Sequence, residues 1–228
     1  MSSGSGDTVR SPASDGLASL LGSVRALLSS LDSSRLQEFL QEWPSGTLHA
    51  PTPATLPVLA CLPQLRGGAE SFAAEPFAAE LVSEFCRLAP SLAWRQTYRA
   101  RTDAGTDAGT DAAVDEAFLR NYGWCALIGP DGPLRSERLA VGCLLLGPRT
   151  TYPNHRHEAE EIYVPLAGIA DWLQGDGLWR ERRPGEVIHH ERHERHAMRT
   201  RAAALLALYL WRSADLHQHA SLDPPGTS

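Results

Sequence analysis

Residues 152–168 read YPNHRHEAEEIYVPLAG: two histidines, three glutamates and two tyrosines lead into an apolar run that closes on glycine. Side chains on a strand alternate between its two faces, so residues of one parity share a face. His155, His157, Glu161 and Tyr163 have the same parity. If the stretch is a single strand, bent near Glu158–Glu160, all four point one way, and Ile162 and Val164 point the other. Imidazoles and a carboxylate are costly to bury unless they are paired or hold a divalent cation. Two readings follow: an inward-facing metal site, or an exposed strand face that happens to be rich in histidine. The H-x-H pair alone does not choose between them.

Outward from this stretch, the chain after Asn121 alternates short β-branched and aromatic runs with Gly/Pro turns. The runs are Trp124–Ile128, Leu139–Leu146, Glu161–Leu166, Ile169–Leu173, Glu186–His190 and Ala203–Trp211. Short strands at this spacing predict an antiparallel sandwich or small barrel. The preceding part reads as helical. Leu17, Leu20, Leu21, Val24, Leu27, Leu28 and Leu31 recur at three and four, and Asp32 or Ser33 can cap a second helix ending near Trp43. Residues 44–68 carry five prolines and read as a surface loop. Further helices are expected over 76–88 and 91–99. The repeat TDAGTDAGTDA at 102–112 lacks the ligand spacing of a calcium loop and reads as a solvated linker. The expected organisation is a disordered tail (1–16), a helical portion packing on the barrel (17–120), the barrel (121–213) and a C-terminal tail (214–228).

The 228 residues, 43% of them hydrophobic, suffice for one well-packed domain. A net charge of −6 without a basic cluster argues against nucleic acid or an anionic membrane as partner. Cys61, Cys86, Cys125 and Cys143 are scattered and form no C-x-x-C pair, which suits buried thiols in a reducing compartment. With no signal-peptide or membrane-spanning run, the expected location is the cytoplasm.

The spacing H-x-H-x3-E-x6-G, here His155, His157, Glu161 and Gly168, resembles the first motif of the cupin superfamily. The resemblance implies a mainly β fold, a jelly-roll barrel (double-stranded β-helix), here with an N-terminal α-helical portion. It also implies a fourth ligand, a histidine on a later strand beyond a Pro-Gly turn. After Pro184-Gly185 the residue in register is His196, with His190 as substitute or supporting partner and His189 and His193 in the turn or on the outer face. Glu191 and His193 stand where the second motif usually has Pro and Gly. Three histidines and one glutamate leave open positions on a six-coordinate ion, and the donor set suits Fe, Mn, Co, Ni or Zn alike.

A narrower likeness rests on Y-x-x-H-x-H-x3-E-x-Y (Tyr152 to Tyr163) with LAVGCLLLGP before it and LLALYLWR near the end. This pattern resembles the bacterial cupin-type dimethylsulfoniopropionate (DMSP) lyases over about residues 121–213. The implied reaction is a β-elimination giving dimethyl sulfide and acrylate, with DMSP as the small-molecule partner and a monomeric or homodimeric enzyme. A base must take the proton next to the substrate carboxylate, and the neutral thioether leaves without a general acid. Tyr163 is the leading candidate base, since a nearby divalent cation favours its phenolate. Tyr152 is the second phenol, placed to orient the carboxylate or bind the metal, and Glu161 is ligand or secondary base. Aromatic faces attract a sulfonium, which points to Tyr122, Trp124 and Trp172. The alternatives are another metal-dependent cupin enzyme acting on a different small acid, or a non-catalytic cupin that binds a ligand.

Overall fold

The segment that the sequence suggests as one bent strand is two strands in opposite sheets. In the computed structural model, which describes residues 12–68, 76–100 and 113–223, β6 (Thr151–Arg156) ends before His157 and β7 (Glu160–Ala167) begins after a short turn. The repeat at 102–112 and most of the 1–16 tail lie outside the described residues.

Six strands form the first sheet in the order β1-β4-β5-β12-β7-β10, and five form the second in the order β13-β6-β11-β8-β9. Within the first sheet β1 is Trp94–Arg95, β4 Tyr122–Ile128, β5 Leu139–Leu146, β10 Ile188–His190 and β12 Leu205–Arg212. In the second, β8 is Ala170–Gln174, β9 Arg180–Arg182, β11 His196–Thr200 and β13 Ser221–Leu222. All pairings inside these two sheets are antiparallel, and consecutive strands β5, β6 and β7 cross from one sheet to the other. The result is a jelly-roll barrel of cupin type. A separate parallel pair joins β2 (Arg99–Ala100) to β3 (Ala113–Val114).

Alternation on β7 divides the interior into two cores. Ile162, Val164 and Leu166 join Val141, Cys143, Leu206, Leu208 and Leu210 on the outer face of the first sheet. Against this face pack α1 (Pro12–Ser30), α2 (Ser34–Gln41) and α4 (Pro76–Leu88), through Leu20, Leu28, Phe39, Val82 and Phe85. Ser33 caps α2 by accepting from Leu36 N–H. Glu161 and Tyr163 face inward, where the second core is rich in aromatic residues: Tyr98, Phe118, Tyr122, Tyr152, Trp172 and Tyr209.

Two expected elements are corrected. The proline-rich 44–68 stretch holds a 3-10 turn at Pro57–Cys61 and α3 (Leu62–Gly68), because prolines sit acceptably at the first turn of a helix. The expected helix over 91–99 is instead a 3-10 turn at Ala89–Ser91 followed by β1 and β2, separated from α5 (Glu116–Arg120) by β3. Leu92 adopts extended backbone, and Trp94 leaves the helical register to pair with Cys125 of β4.

Gly168 turns the chain from β7 into β8 at φ +87°, and a Cβ there would stand 2.1 Å from the Ala204 carbonyl oxygen. Gly168→Ala combines left-handed strain with a clash against backbone. It should lower stability by about 3 kcal/mol in urea denaturation.

Candidate metal and active site

The turn between β6 and β7 brings the two halves of the first motif face to face across the barrel. His155 is the penultimate residue of β6, His157 lies just beyond that strand, Glu161 is the second residue of β7, and His196 opens β11 as the register partner of His155. All four are buried, and their ligand atoms lie within 4.8 Å of one another.

Local backbone fixes how the rings are turned. His155 Nδ1 lies 2.9 Å from Pro153 O, His157 Nδ1 2.8 Å from Ala159 O, and His196 Nδ1 2.8 Å from Glu194 O. A carbonyl oxygen only accepts, so each Nδ1 carries the hydrogen and each Nε2 turns a lone pair to the shared centre. His157 Nε2 stands 2.8 Å from Glu161 Oε2, and His196 Nε2 3.1 Å from the same oxygen. Among the described residues the buried His196 Nε2 has no neighbour in good hydrogen-bond geometry, Glu161 Oε2 lying close but poorly aligned. Lone pairs packed this closely need a positive charge among them. The four side chains therefore fit a divalent metal ion, with backbone acceptors orienting each imidazole as such sites require.

Electrostatics agree with a cation-binding centre. Burial, and then repulsion from His196 and His157, holds the His155 imidazolium well below its usual range, so the ring is neutral. Burial alone would raise the Glu161 carboxyl, but His157 and His196 pull it well below the ordinary carboxylate range. Trp211, opposite Glu161 on β12, donates its indole N–H to Glu161 Oε1 at 2.6 Å.

His190 is not in this donor set. It pairs with Glu161 across β10–β7, and its ring stacks on His196 at 4.0 Å between centroids. His189 points to the outer face, where Glu160 accepts from it at 2.8 Å and from Arg212 at 2.6 Å. His193 takes φ +60° in the turn before β11, the conformation a glycine would adopt there, and its N–H donates to His157 O at 2.8 Å.

A cavity of about 340 Å³ reaches Glu161, the member of the cluster that lines it. Glu161, Tyr152 and Tyr163 line its inner part, and Tyr122, Trp124, Tyr209 and Trp211 supply aromatic walls. The Tyr152 ring stacks on His155 at 4.0 Å, only 8° from parallel. The Tyr163 ring lies 6.4 Å from that of His196, and burial together with the Glu161 carboxylate raises its phenol well above the ordinary tyrosine value. Trp172 does not line the cavity. It is buried in the second core beside Tyr163, 6.1 Å between centroids, which corrects its sequence-based placement against substrate.

Sequence reasoning overlooked two contributors. Gln96 and Thr97 line the cavity from the segment between β1 and β2, and residues 216–220 cross its mouth before the chain re-enters the second sheet as β13. His217 and His219 of that crossing are exposed at the rim. Both segments are polar and aperiodic, so nothing in their sequence ties them to the site. Among the described residues no helix is long and apolar enough to cross a membrane.

Comparison with known proteins follows the same lines. A curated DMSP lyase of Ruegeria pomeroyi, DddQ, is 38% identical over 95 residues, which are 42% of this chain and 47% of that protein. A putative DMSP lyase of Cereibacter sphaeroides, DddL, is 40% identical over 74 residues, 32% of this chain and 30% of that protein. The matched stretches thus span less than half of either curated relative. The likeness of fold extends over nearly the whole chain: the crystal structure of R. pomeroyi DddQ superposes with TM-score 0.73 at 28% identity, covering 94% of this chain and 99% of that one. A structure described with the DMSP lyases RdDddP and RnDddQII gives TM-score 0.76 at 28% identity, covering 93% and 100%. With the dimethylsulfoniopropionate lyase family profile matching residues 33–207, most of its length, the chain belongs to that family.

Proposed function

We propose that the chain is a metal-dependent carbon–sulfur lyase that cleaves DMSP by β-elimination to dimethyl sulfide and acrylate. The observation that carries this reading is the meeting of three Nε2 atoms with Glu161, whose carboxylate lines an aromatic cavity together with Tyr163 from the same strand face. His155, His157, Glu161 and His196 would hold the ion. When bound, it supplies Lewis-acid stabilisation of the negative charge that develops on the substrate carboxylate.

Tyr163, as its phenolate, takes the proton from the carbon next to the carboxylate and becomes a neutral phenol. The electron pair released forms the C=C bond, and the carbon–sulfur bond breaks with its electrons passing to sulfur. Sulfur leaves as neutral dimethyl sulfide, so no side chain has to protonate it. Tyr152, flat against His155, orients the carboxylate by donating its hydroxyl hydrogen. The faces of Trp124, Tyr209 and Trp211 accept the sulfonium. In this reading Tyr209 and Trp211 join Trp124, the residue expected from the sequence, in facing the sulfonium. Tyr122 forms the wall behind Tyr152, 5.1 Å between ring centroids.

The test is direct. Protein loaded separately with Fe, Mn, Co, Ni or Zn is incubated with DMSP, and headspace dimethyl sulfide and dissolved acrylate are measured. Equal amounts of the two products support the elimination. Absence of both with all five metals refutes it and leaves another small acid, or ligand binding alone.

A further inference from the structure

We propose that Tyr98, contributed from outside the barrel strands, is a positioning residue that sets the direction in which Tyr152 offers its hydroxyl hydrogen. The inference rests on the lyase reading for the identity of the ligand, but its geometry is independent of it. The segment Gln96–Tyr98 closes one end of the barrel, and each of its residues is tied to the inner aromatic group. Gln96 donates to the carbonyls of Leu119 and Tyr122, at 2.5 and 2.8 Å. Thr97 Oγ1 accepts from Trp124 Nε1 at 3.0 Å and lies 3.1 Å from the Tyr122 hydroxyl. Tyr98 places its hydroxyl 2.8 Å from that of Tyr152.

Two phenols that share one hydrogen bond hold two hydrogens, and only one can lie between the oxygens. Tyr152 lines the cavity, whereas Tyr98 is buried behind it and does not. Among the described residues the Tyr98 hydroxyl has Tyr152 as its hydrogen-bond partner, so if Tyr152 donated inward the Tyr98 hydrogen would face the rings of Phe118, Tyr122 and Tyr152. An unsatisfied buried donor is the more costly arrangement. Tyr98 therefore donates, Tyr152 accepts, and the hydrogen of Tyr152 is released to the cavity side, where the Tyr122 hydroxyl or an entering carboxylate can accept it. Accepting one hydrogen bond also makes Tyr152 a better donor in the next.

The experiment is a double-mutant cycle on metal-loaded protein with Tyr98→Phe, Tyr152→Phe and the double variant. It reads kcat and KM for DMSP, calorimetric affinity for propionate as a non-reacting carboxylate, and melting temperature. Tyr98→Phe should weaken propionate binding about tenfold, raise KM in parallel and leave the melting temperature within a few degrees. In the Tyr152→Phe background the same substitution should change neither constant. Additive losses, or wild-type behaviour of Tyr98→Phe, overturn the inference. Should Tyr98→Phe not fold, 3-fluorotyrosine at position 98, a stronger donor of the same shape, should tighten propionate binding, and unchanged or weaker binding overturns the proposal. A protein that binds propionate with this coupling but releases no dimethyl sulfide refutes the lyase reading alone. Turnover of DMSP with additive losses refutes the role of Tyr98 alone, and a wild type that binds neither compound refutes both.

Discussion

Tyr163→Phe should lower kcat for dimethyl sulfide release about 10³-fold, within the span expected for removal of a general base, while metal content stays at the wild-type level. The substitution deletes one oxygen and leaves the ring, which is buried against Trp172 and His190. Packing and melting temperature should therefore change little. Tyr163 is not one of the four ligands, so inductively coupled plasma analysis should return the same metal stoichiometry. Burial and the Glu161 carboxylate disfavour its phenolate. A cation in the adjacent centre would favour that state, which would tie the proposed base function to the ligand cluster. If the variant keeps more than a tenth of wild-type kcat, the base is elsewhere, and Glu161 becomes the next group to examine.

Much of this site is legible in the chain because its key residues are close in sequence. His155, His157 and Glu161 are drawn together by one turn, and H-x-H-x3-E reports that turn by its spacing. The reasoning from parity along a single strand nevertheless describes the wrong object. His155 and Glu161 converge because β6 and β7 belong to facing sheets, and a turn at His157–Ala159 reverses what parity would mean across it. His196 is readable only through family resemblance, since its place depends on pairing with His155 across 41 residues of chain. Trp172 shows the limit of aromatic content as a signal. A tryptophan on an inward strand face meets either core or cavity, and only the surrounding strands decide which. The contributions of Gln96–Tyr98 and of residues 216–220 come from tertiary closure of the barrel ends, and an N-terminal stretch that reads as helix conceals the first of them.

Glu161→Ala should weaken metal binding by about two orders of magnitude or more and take lyase activity below detection, since even groups that merely support a ligand are worth 10–100-fold in affinity. One carboxylate serves three neighbours here. Its Oε2 lies 2.8 Å from His157 Nε2 and 3.1 Å from His196 Nε2, and its Oε1 accepts from Trp211 at 2.6 Å. Alanine leaves three imidazoles around an emptied corner and a buried indole N–H without its acceptor. The cluster also loses its only negative charge, so a dication enters with no compensating carboxylate. Glu161→Gln separates these effects. The amide oxygen can still accept from Trp211, so the fold should be retained, but the missing charge should leave affinity nearly as low as in the alanine variant. Competition with a chelator such as EDTA gives both affinities, and circular dichroism checks the fold. If both variants hold metal as tightly as wild type, the ion does not sit between His155, His157, Glu161 and His196. If only glutamine does, the carboxylate acts through geometry rather than charge.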